Sequence, residues 1–478
     1  MHEQVKSAAT ASWLRAGLLA ALLLTLGRDA WALDRFQVEG YLLPNGLQVL
    51  LKPGDERAHV SVRLVVGVGF DDFSCADQEL PHLLEHLLFS GIDDSGEGGL
   101  EERMQALGGE WNAFTSSADT TFVIEAPARN QRKVLDLLLA AVTQTRIDEK
   151  ALQTSKKIVE REDGGHYSHL QRLLDRQDLG HSASNQLAVE LGLKCPERAD
   201  VNTLTLEQVQ TVRQNWYAPN NMSLIVVGGL DKLLPAYLER SWGELEAVEP
   251  SDHQDLRSVT HTAEPERDLT KGWLGDGAKV HLFYLEPTLQ VENPATLDLL
   301  QNYLDWALYR ELRLKHGLSY GPWVARESFG DSGLLSMNAD VDRADLGETG
   351  LVLGQLVQRL QEEGLDPATF DRLKNLAISR QAWAAQGNSA VADYYWGALT
   401  DYVDGRFTNP ARQIQQVSLK EANAAMREMF GKPGYIRVER PLLSYDQLYE
   451  LAWAALAGLL ALLLVIAFWR RRRRAAKR

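Results

Sequence analysis

The chain has 478 residues, with 45% hydrophobic and 24% charged side chains, which is the ordinary composition of a globular protein. Its length allows two or three domains, each with its own core. The formal net charge of −15 argues against nucleic acid as a partner and weakly favours cationic partners.

Residues 1–32 have the layout of a secretory signal peptide. Lys6 and Arg15 precede an apolar run at 16–26, and Ala-Trp-Ala follows at 30–32. The apolar run is too short to span a bilayer comfortably. The pattern therefore favours cleavage after residue 32 over an uncleaved signal anchor.

From residue 36 on, strand and helix patterns alternate. The Asn45-Gly46 pair between two apolar runs predicts a hairpin within residues 40–52. Pro81 suits the first turn of a helix that contains His82. The other elements of the first half are predicted, in chain order, as a strand at 60–68, a short helix at 101–107, a strand pair or edge strand at 111–126, helices at 131–145 and 149–162, and a strand at 223–227.

The polar stretch 243–277 contains Pro250, Pro265 and several glycines, which predicts an interdomain linker. After it the order of elements restarts, with a strand at 280–285, a helix at 295–313, strand-like residues at 323–336 and helices up to residue 429. The sequence therefore predicts an α+β fold of two tandem similar domains, 33–242 and 278–440. Each is expected to be a mostly antiparallel β-sheet flanked by helices.

The end of the chain has the features of a membrane anchor. Residues 451–469 carry no charge and, at about 1.5 Å per residue, nearly match a hydrocarbon core of about 30 Å. Tyr445, Tyr449 and Trp453 mark one membrane interface, and the basic tail 470–478 follows the other. Because basic residues stay on the cytoplasmic side, we expect a single-pass protein with an exported body and a cytoplasmic tail.

Residues 82–86 have the sequence His-Leu-Leu-Glu-His. On a helix, His82 and His86 project from one face about a turn apart, so both imidazoles can reach one ion. Zinc suits such a site, since it accepts neutral imidazole and lowers the pKa of a bound water toward 7. Glu85 is spaced to take a proton from that water and pass it to a leaving amine. This is the inverzincin motif, and its alternative is a chance pentapeptide in a core helix.

A catalytic zinc needs a third protein ligand, and the segment 157–162 offers Glu160 and Glu162 on a predicted helix. With this Ile-Val-Glu-Arg-Glu context the chain resembles the pitrilysin/insulinase (inverzincin) family of zinc metallopeptidases. It is most similar to the small two-domain type that includes the mitochondrial processing peptidase subunits. The resemblance favours Glu162 over Glu160 as the third ligand and implies one zinc per chain, together with His82 and His86.

The resemblance covers residues 36–440 through several separated motifs. These are the Leu-Pro-Asn-Gly-Leu hairpin at 43–47, Phe-Ser-Gly at 89–91, the edge-strand segment 108–116, the segment 217–222, and the pair Arg313 and Tyr320 around Gly-Leu-Ser. It implies that Asn112 and Ala113 pair with the substrate main chain, a mode that tolerates varied sequences. It also implies that Arg313 and Tyr320 position substrate carbonyls and stabilise an oxyanion.

The two-domain members of this family complete their site by pairing. The resemblance therefore implies a homodimer, or a heterodimer with a related subunit, that acts on extended peptides or unfolded polypeptide segments. Two positions depart from the family pattern. Glu79-Leu80-Pro81 precedes the first histidine where a small residue is common, and Ser155 stands where a supporting Glu is expected, a loss that would weaken zinc affinity or rate.

Other chemistry-bearing residues keep two interpretations. His166 and His169 are expected to lie on a loop or the surface and not to bind the metal. Cys75 and Cys195 would pair in an oxidising compartment or remain as buried thiols. The leading hypothesis is a membrane-anchored zinc endopeptidase, and its rival is a non-catalytic relative that acts as a membrane-bound assembly or peptide-binding subunit. Retention of the zinc residues favours catalysis.

Overall fold

The computed structural model describes residues 34–162, 182–195, 200–249, 251–253, 258–287, 293–330, 332–381 and 383–475. The predicted signal peptide 1–32 and the two histidines His166 and His169 lie outside these residues. Within them, the chain forms two α+β domains, each built on one β-sheet.

The first sheet has six strands in the order β1-β2-β6-β3-β5-β4. The strands are β1 (Glu39–Leu42), β2 (Gln48–Pro53), β3 (His59–Val66), β4 (Glu110–Thr115), β5 (Thr120–Pro127) and β6 (Met222–Gly228). Only β2 and β6 pair in parallel; the other neighbours are antiparallel. The predicted hairpin is present as β1 and β2, with Gly46 at a φ of 88° in the turn, a conformation that suits glycine.

The first half of the chain contributes seven helices among the described residues. They are α1 (Leu80–Leu88), α2 (Gly96–Ala106), α3 (Gln131–Gln144), α4 (Glu149–Glu162), α5 (Ala183–Glu190), α6 (Leu206–Trp216) and α7 (Leu234–Ser241). The core beneath them joins the apolar faces of α1 and α3 to Val62, Leu64 and Phe122 of the sheet. The predicted short helix at 101–107 is longer than expected, since α2 begins at Gly96.

The second sheet has five strands in the order β7-β11-β8-β10-β9, and β7 and β11 pair in parallel. The strands are β7 (Glu266–Thr270), β8 (Gly277–Leu285), β9 (Trp323–Phe329), β10 (Ser332–Asp342) and β11 (Tyr435–Arg440). The helices of the second half are α8 (Ala295–Leu308), α9 (Leu346–Glu363), α10 (Pro367–Arg380), α11 (Asn388–Gly397), α12 (Pro410–Gln416) and α13 (Leu419–Phe430), and α8 continues into a π-helical turn at Tyr309–Lys315.

The stretch 243–277 does more than link the domains. Its residues 266–270 form β7, the outermost strand of the second sheet. An edge strand leaves most of its side chains in solvent, and only Leu269 of β7 is buried. That exposure explains why a true strand has the polar composition of a linker.

Each half of the chain also covers the outer face of the other half's sheet. From the second half, Tyr395 of α11 and Phe407 pack on Ile225 and its neighbours in the first sheet. From the first half, Leu187 of α5 packs on Phe283 and its neighbours in the second sheet. The domains predicted as consecutive stretches therefore exchange one element each.

A buried arginine accompanies each exchanged helix. Arg63 in β3 is 1% exposed, and its Nε lies 2.8 Å from Asp393 of α11. Arg437 in β11 is fully buried, and its Nη2 lies 2.6 Å from Glu190 of α5. Each pair links a buried guanidinium of one half to a carboxylate on the exchanged helix of the other half, and Arg63 also has Glu125 of its own sheet 3.0 Å from Nη2.

The last element is α14 (Tyr445–Ala475), which contains the predicted spanning segment 451–469. By length and composition, α14 is the one helix among the described residues that is long and apolar enough to cross a membrane. Every residue of α14 is exposed in the isolated chain, so it does not belong to either domain core. Its surface is rich in exposed leucines, which include Leu456, Leu460 and Leu464.

Candidate active site

Helix α1 presents two histidines on the side that faces away from the core. Leu83 and Leu87 are fully buried against the first sheet, together with Leu84 and Leu88. Pro81 in the first turn is compatible with the helix, because the amide it lacks would have no partner there. The four-residue spacing then places His82 and His86 next to each other, with ring centroids 4.9 Å apart.

Helix α4 packs against α1 and brings a carboxylate to both histidines. Leu152 and Val159 are buried and hold α4 against the core. At the last residue of the helix, Oε2 of Glu162 lies 3.1 Å from Nε2 of His86 and 3.3 Å from Nε2 of His82. Glu160 is exposed and does not belong to this cluster. Of the two carboxylates considered as third ligand, the structure therefore brings Glu162, and not Glu160, next to the histidines.

These three ligand atoms fit a zinc ion. The two Nε2 atoms of His82 and His86 are 3.2 Å apart, so all three distances in the triangle fall between 3.1 and 3.3 Å. Ligands of a tetrahedral zinc at about 2.0–2.1 Å from the metal are about 3.3 Å from one another. Two imidazoles and a carboxylate are also the donor set of a catalytic zinc that keeps one position open.

Glu85 lies beside this cluster without joining it. Its side chain is 7% exposed, and Oε2 accepts a hydrogen bond of 2.7 Å from the hydroxyl of Thr115 at the end of β4. Near it, burial and then the negative charge of Glu85 raise the pKa of the Tyr217 phenol, which stays protonated. The carboxylate of Glu85 is thus fixed by Thr115, a contact that sequence analysis did not predict.

Glu79 also has a role that sequence analysis missed. This N-cap residue of α1 was noted only as a departure from the family pattern. Its buried carboxylate lies 3.1 Å from Nδ1 of His82, the ring nitrogen that faces away from Glu162. The three-residue spacing from Glu79 to His82 was the available signal, since residues three apart on a helix are neighbours. Ser155, at the position expected to carry a supporting Glu, is a buried serine.

A cavity of about 630 Å³ opens beside His86 and Glu85. Phe89 and Trp111 form an aromatic wall, with their rings edge to face at 4.9 Å. The indole Nε1 of Trp111 donates to Glu101 at 2.8 Å, which fixes the ring. These two rings thus form one side of an open cavity next to the cluster of His82, His86 and Glu162.

Strand β4 runs along this cavity at the edge of the first sheet. Asn112 lines the cavity, and Ala113 pairs with Phe122 of β5 on the inner side. On this strand the amide N–H of Ala113 donates to the side-chain oxygen of Asn112 at 2.9 Å. Among the described residues, no strand pairs with the outer side of β4, so this edge can accept an added strand.

Arg313 and Tyr320 lie next to each other on the second domain. The guanidinium carbon of Arg313 is 4.2 Å from the centroid of the Tyr320 ring, a cation–π contact, and Tyr320 is 83% exposed. Neither side chain is among the described residues that line the cavity next to His86. The structure thus brings this pair together but keeps it outside the cavity beside His82, His86 and Glu162 of the same chain.

The two cysteines form a disulfide between Cys75, in the loop before α1, and Cys195, just after α5. Of the two interpretations left open by the sequence, the structure therefore has the paired one. The bridge ties the approach to the histidine helix to the segment that covers the second sheet.

Comparison with known proteins gives a consistent family. The model for insulinase (peptidase family M16) matches residues 48–197, and the model for the peptidase M16 inactive domain matches residues 203–377. An uncharacterized zinc protease of Mycobacterium tuberculosis is 24% identical over 404 residues, which is 82% of this chain and 90% of that protein. An uncharacterized zinc protease of Bacillus subtilis is 21% identical over 348 residues, which is 70% of this chain and 82% of that protein.

Solved structures show the same fold. A protease from Helicobacter pylori superposes with a TM-score of 0.67 at 18% identity and covers 85% of this chain and all of that one (100%). The periplasmic protease PqqL from Escherichia coli also gives a TM-score of 0.67, at 17% identity, over 84% of this chain and 47% of its own. The two matched models together span both domains, and the His-x-x-Glu-His motif lies in the part matched by the first. This chain is a two-domain member of the insulinase (M16) peptidase family.

Proposed function

We propose that the protein is a zinc-dependent endopeptidase with an exported body anchored in a membrane by α14. The observation that carries the proposal is the triangle of His82, His86 and Glu162, whose ligand atoms have the spacing of a tetrahedral zinc. The described residues contain one such triangle, which supports one zinc per chain. The names of the relatives that match along most of the chain support zinc and proteolysis.

Glu85 is the proposed general base and acid. Zinc, when bound, supplies a Lewis acid that makes water a nucleophile near neutral pH. Thr115 holds one oxygen of Glu85, which leaves the other oxygen to take a proton from the attacking water. The same carboxyl group then gives that proton to the leaving amine.

The substrate is proposed to be an extended peptide or an unfolded polypeptide segment. An extended chain can add to the free edge of β4, where Asn112 and Ala113 would meet its main chain. In the structure, the side-chain oxygen of Asn112 already accepts the hydrogen bond from the Ala113 N–H. A substrate carbonyl that pairs with this N–H would therefore displace the Asn112 side chain. Main-chain pairing of this kind selects for extended conformation and tolerates varied sequences.

Export and anchoring rest on three observations. The apolar helix α14 ends in a run of arginines, which favours a cytoplasmic tail. The Cys75–Cys195 disulfide is typical of an oxidising compartment. A third support is the relative PqqL, which is described as periplasmic.

The complete site is proposed to need a second protomer. Arg313 and Tyr320 would act on a substrate held by another chain's zinc triangle, because they do not line the cavity of their own. A two-fold axis along the membrane normal would let both α14 helices enter one bilayer, so a homodimer is geometrically permitted. A heterodimer with a related subunit would satisfy the same geometry.

The alternative function is that of a non-catalytic assembly or peptide-binding subunit. It is favoured by the match of the second half to the inactive-domain model and by partial matches to subunits of larger assemblies. One of these is cytochrome b-c1 complex subunit 1 of Caenorhabditis elegans, 24% identical over 211 residues that cover 44% of each protein. The intact triangle and the fixed Glu85 argue for catalysis.

Elemental analysis and peptide cleavage test the proposal on the full-length chain in detergent. We expect one zinc per chain, loss of that zinc in His82→Ala, and loss of cleavage on chelation that zinc restores. Glu85→Gln should keep zinc and the fold but lower the cleavage rate by about 10² to 10⁴. Undiminished zinc in His82→Ala would overturn the ligand set, and full zinc without cleavage by either a homodimer or a mixture with related chains would favour the alternative.

A further inference from the structure

An exposed apolar cluster surrounds the start of α14. It consists of Trp273, Leu274 and Leu442, which are 36–40% exposed. Two segments supply it: the loop 271–276 between β7 and β8, and the residues 441–444 that lead from β11 into α14. We call residues 271–276 together with Leu442 the interfacial loop.

The interfacial loop is fastened to the beginning of α14 by main-chain hydrogen bonds. The N–H of Leu443 donates to the carbonyl of Trp273 at 2.9 Å, and the N–H of Gly275 donates to the carbonyl of Leu443 at 3.0 Å. One step further, the N–H of Tyr445 donates to the side chain of Asp276 at 3.0 Å. The main chain at Trp273 therefore lies beside the main chain at Leu443, as in neighbouring strands. The loop and the segment that enters α14 are thus expected to move together.

The distance from this point to the hydrocarbon places the loop at the outer edge of the headgroup layer. Tyr445 precedes the uncharged segment 451–469 by six helical residues, which span about 9 Å at about 1.5 Å each. The headgroup region is roughly 5–8 Å thick on each side of the bilayer, and tilting of the helix brings Tyr445 to its outer edge. Trp273 is hydrogen-bonded to Leu443, two residues before Tyr445, so its main chain lies just outside this region and its side chain is the group that would reach the headgroups. Tryptophan suits this position because its ring is apolar and its N–H is polar.

We propose that the interfacial loop is a lipid-docking surface that seats the second domain on the outer leaflet of the membrane. The proposal rests on the membrane anchoring proposed above for α14. The occupant is the headgroup layer of the bilayer, because the cluster is continuous with the apolar helix that enters it and exposes tryptophan and leucine beside the start of that helix. Two attachments, α14 and the loop, then define the orientation of the body, which a single helix would leave free to tilt.

The docked orientation brings the Arg313–Tyr320 pair close to the membrane. Tyr320 and Pro441 line the same cavity of about 570 Å³, and Pro441 directly precedes Leu442 of the docking cluster. An extended segment that meets Tyr320 would therefore lie near the membrane surface. This places the second-domain half of the proposed site beside the bilayer.

Fluorescence quenching by lipids tests the proposal on the full-length chain. Both native cysteines are paired, so an introduced cysteine is the available thiol for a nitrobenzoxadiazole label. The label is placed at Leu274→Cys, at Leu462→Cys within α14, and at Leu233→Cys, an exposed leucine of the first domain. The protein is reconstituted into phosphatidylcholine and phosphatidylglycerol vesicles with nitroxide-labelled lipids, shallow or deep.

Shallow nitroxides are expected to quench the label at residue 274 several times more strongly than the label at residue 233, and deep nitroxides to quench the label at residue 462. Trp273→Ser in the Leu274→Cys chain should weaken the quenching at 274. Quenching at 462 with none at 274 would overturn the docking surface and leave the anchor intact, as would unchanged quenching in the Trp273→Ser chain. Absence of quenching at 462 would overturn the anchor itself and the inference that depends on it.

Discussion

The buried carboxylate of Glu79 lies 3.1 Å from Nδ1 of His82, three residues before it at the start of the same helix. The tautomer that binds a metal through Nε2 carries its proton on Nδ1, which would then donate to Glu79 and leave the Nε2 lone pair toward Glu162 and His86. Histidines that bind a metal almost always have such an acceptor on the other ring nitrogen, which fixes the tautomer and raises the basicity of the ligand. Glu79 thus supplies a carboxylate next to the cluster in a chain that has Ser155 where a Glu was expected.

Replacement of Glu79 tests this contact. We expect Glu79→Ala to weaken zinc affinity by about 10- to 100-fold and Glu79→Gln to weaken it less, because the amide oxygen can still accept from Nδ1. Competition with a chromogenic chelator measures the affinity. The matched control is Glu97→Gln, an exposed acidic residue of the same cavity, which should bind zinc like the native chain. Equal affinities for Glu79→Ala and the control would show that the contact is incidental.

Thr115 is predicted to affect the cleavage rate by orienting the Glu85 carboxylate. Thr115→Val keeps the shape of the side chain but removes the hydroxyl that donates to Oε2 of Glu85 at 2.7 Å. A hydrogen bond to a charged group contributes about 1.5–3 kcal/mol, so we expect kcat to fall roughly 10-fold or more with zinc content unchanged. Thr115→Ser should restore most of the activity. A native kcat in Thr115→Val would mean that Glu85 is oriented by other groups.

The disulfide is predicted to stabilise the first domain and the docking of α5. Cys75 and Cys195 are 120 residues apart, and closing a loop of that length stabilises a protein by roughly 3–5 kcal/mol. We expect reduction to lower the midpoint of thermal unfolding by several degrees. The Cys75→Ala/Cys195→Ala chain should unfold at that lower midpoint with or without reductant. A midpoint unaffected by both treatments would contradict this role.

Glu311 is predicted to make the stability of the second domain depend on pH. It lies on the π-helical turn that carries Arg313. Burial opposes its ionisation, but a hydrogen bond from Lys315 and the charges of Arg359, Lys315 and Arg310 outweigh burial and hold the pKa of the carboxyl below its usual value. Because the folded-state pKa is lowered, the ionised group stabilises the folded state above the unfolded-state pKa, and this contribution is lost as the pH falls through the folded-state pKa.

The Glu311→Gln variant separates this effect from others. At pH 7 we expect it to lower the free energy of unfolding by about 1–3 kcal/mol. The difference from the native chain should shrink as the pH falls below the unfolded-state pKa of about 4.3. Urea unfolding at several pH values measures both quantities. A difference that stays constant down to pH 3 would show that lost packing, and not lost charge, is responsible.

Mixing two inactive variants tests whether the site is shared between protomers. Glu85→Gln chains lack the base, and Arg313→Ala chains lack the second-domain group. If each site combines Glu85 of one chain with Arg313 of another, mixed dimers should regain part of the native cleavage activity. Self-mixtures of either variant are the controls. Persistent inactivity in verified mixed dimers would mean that the site is completed within one chain or by a different subunit.

Local patterns predicted the elements that depend on neighbours in sequence. The spacing of His82 and His86 required one helix face, and the Asn45-Gly46 turn required a hairpin, and both are present. The three-residue spacing of Glu79 and His82 on one helix also predicts their contact, although the sequence analysis did not include it. The exchange of α5 and α11 was not predictable, because an apolar helix face shows only that the helix is covered and does not show which sheet it covers.

The same limit applies to β7 and to the pair Arg313 and Tyr320. A polar edge strand has no alternating apolar pattern, so the register of β7 with β11 emerges only in the folded sheet. The contact between Arg313 and Tyr320 depends on the π-helical turn after α8, whose extra residue per turn leaves no distinct sequence signal. The sequence spacing predicted that these two residues lie near each other but did not predict the relative orientation of their side chains.

The exchanged helices have a consequence for the continuity of the polypeptide. A single cut between α7 and β7 would leave two fragments, each with its own sheet and each bearing the helix that covers the other fragment's sheet. The ion pairs Arg63–Asp393 and Arg437–Glu190, each with a buried guanidinium, would cross between the fragments, while both cysteines would stay in the first. The two halves are therefore suited to be produced as separate polypeptides that find each other, and neither fragment is expected to be soluble alone.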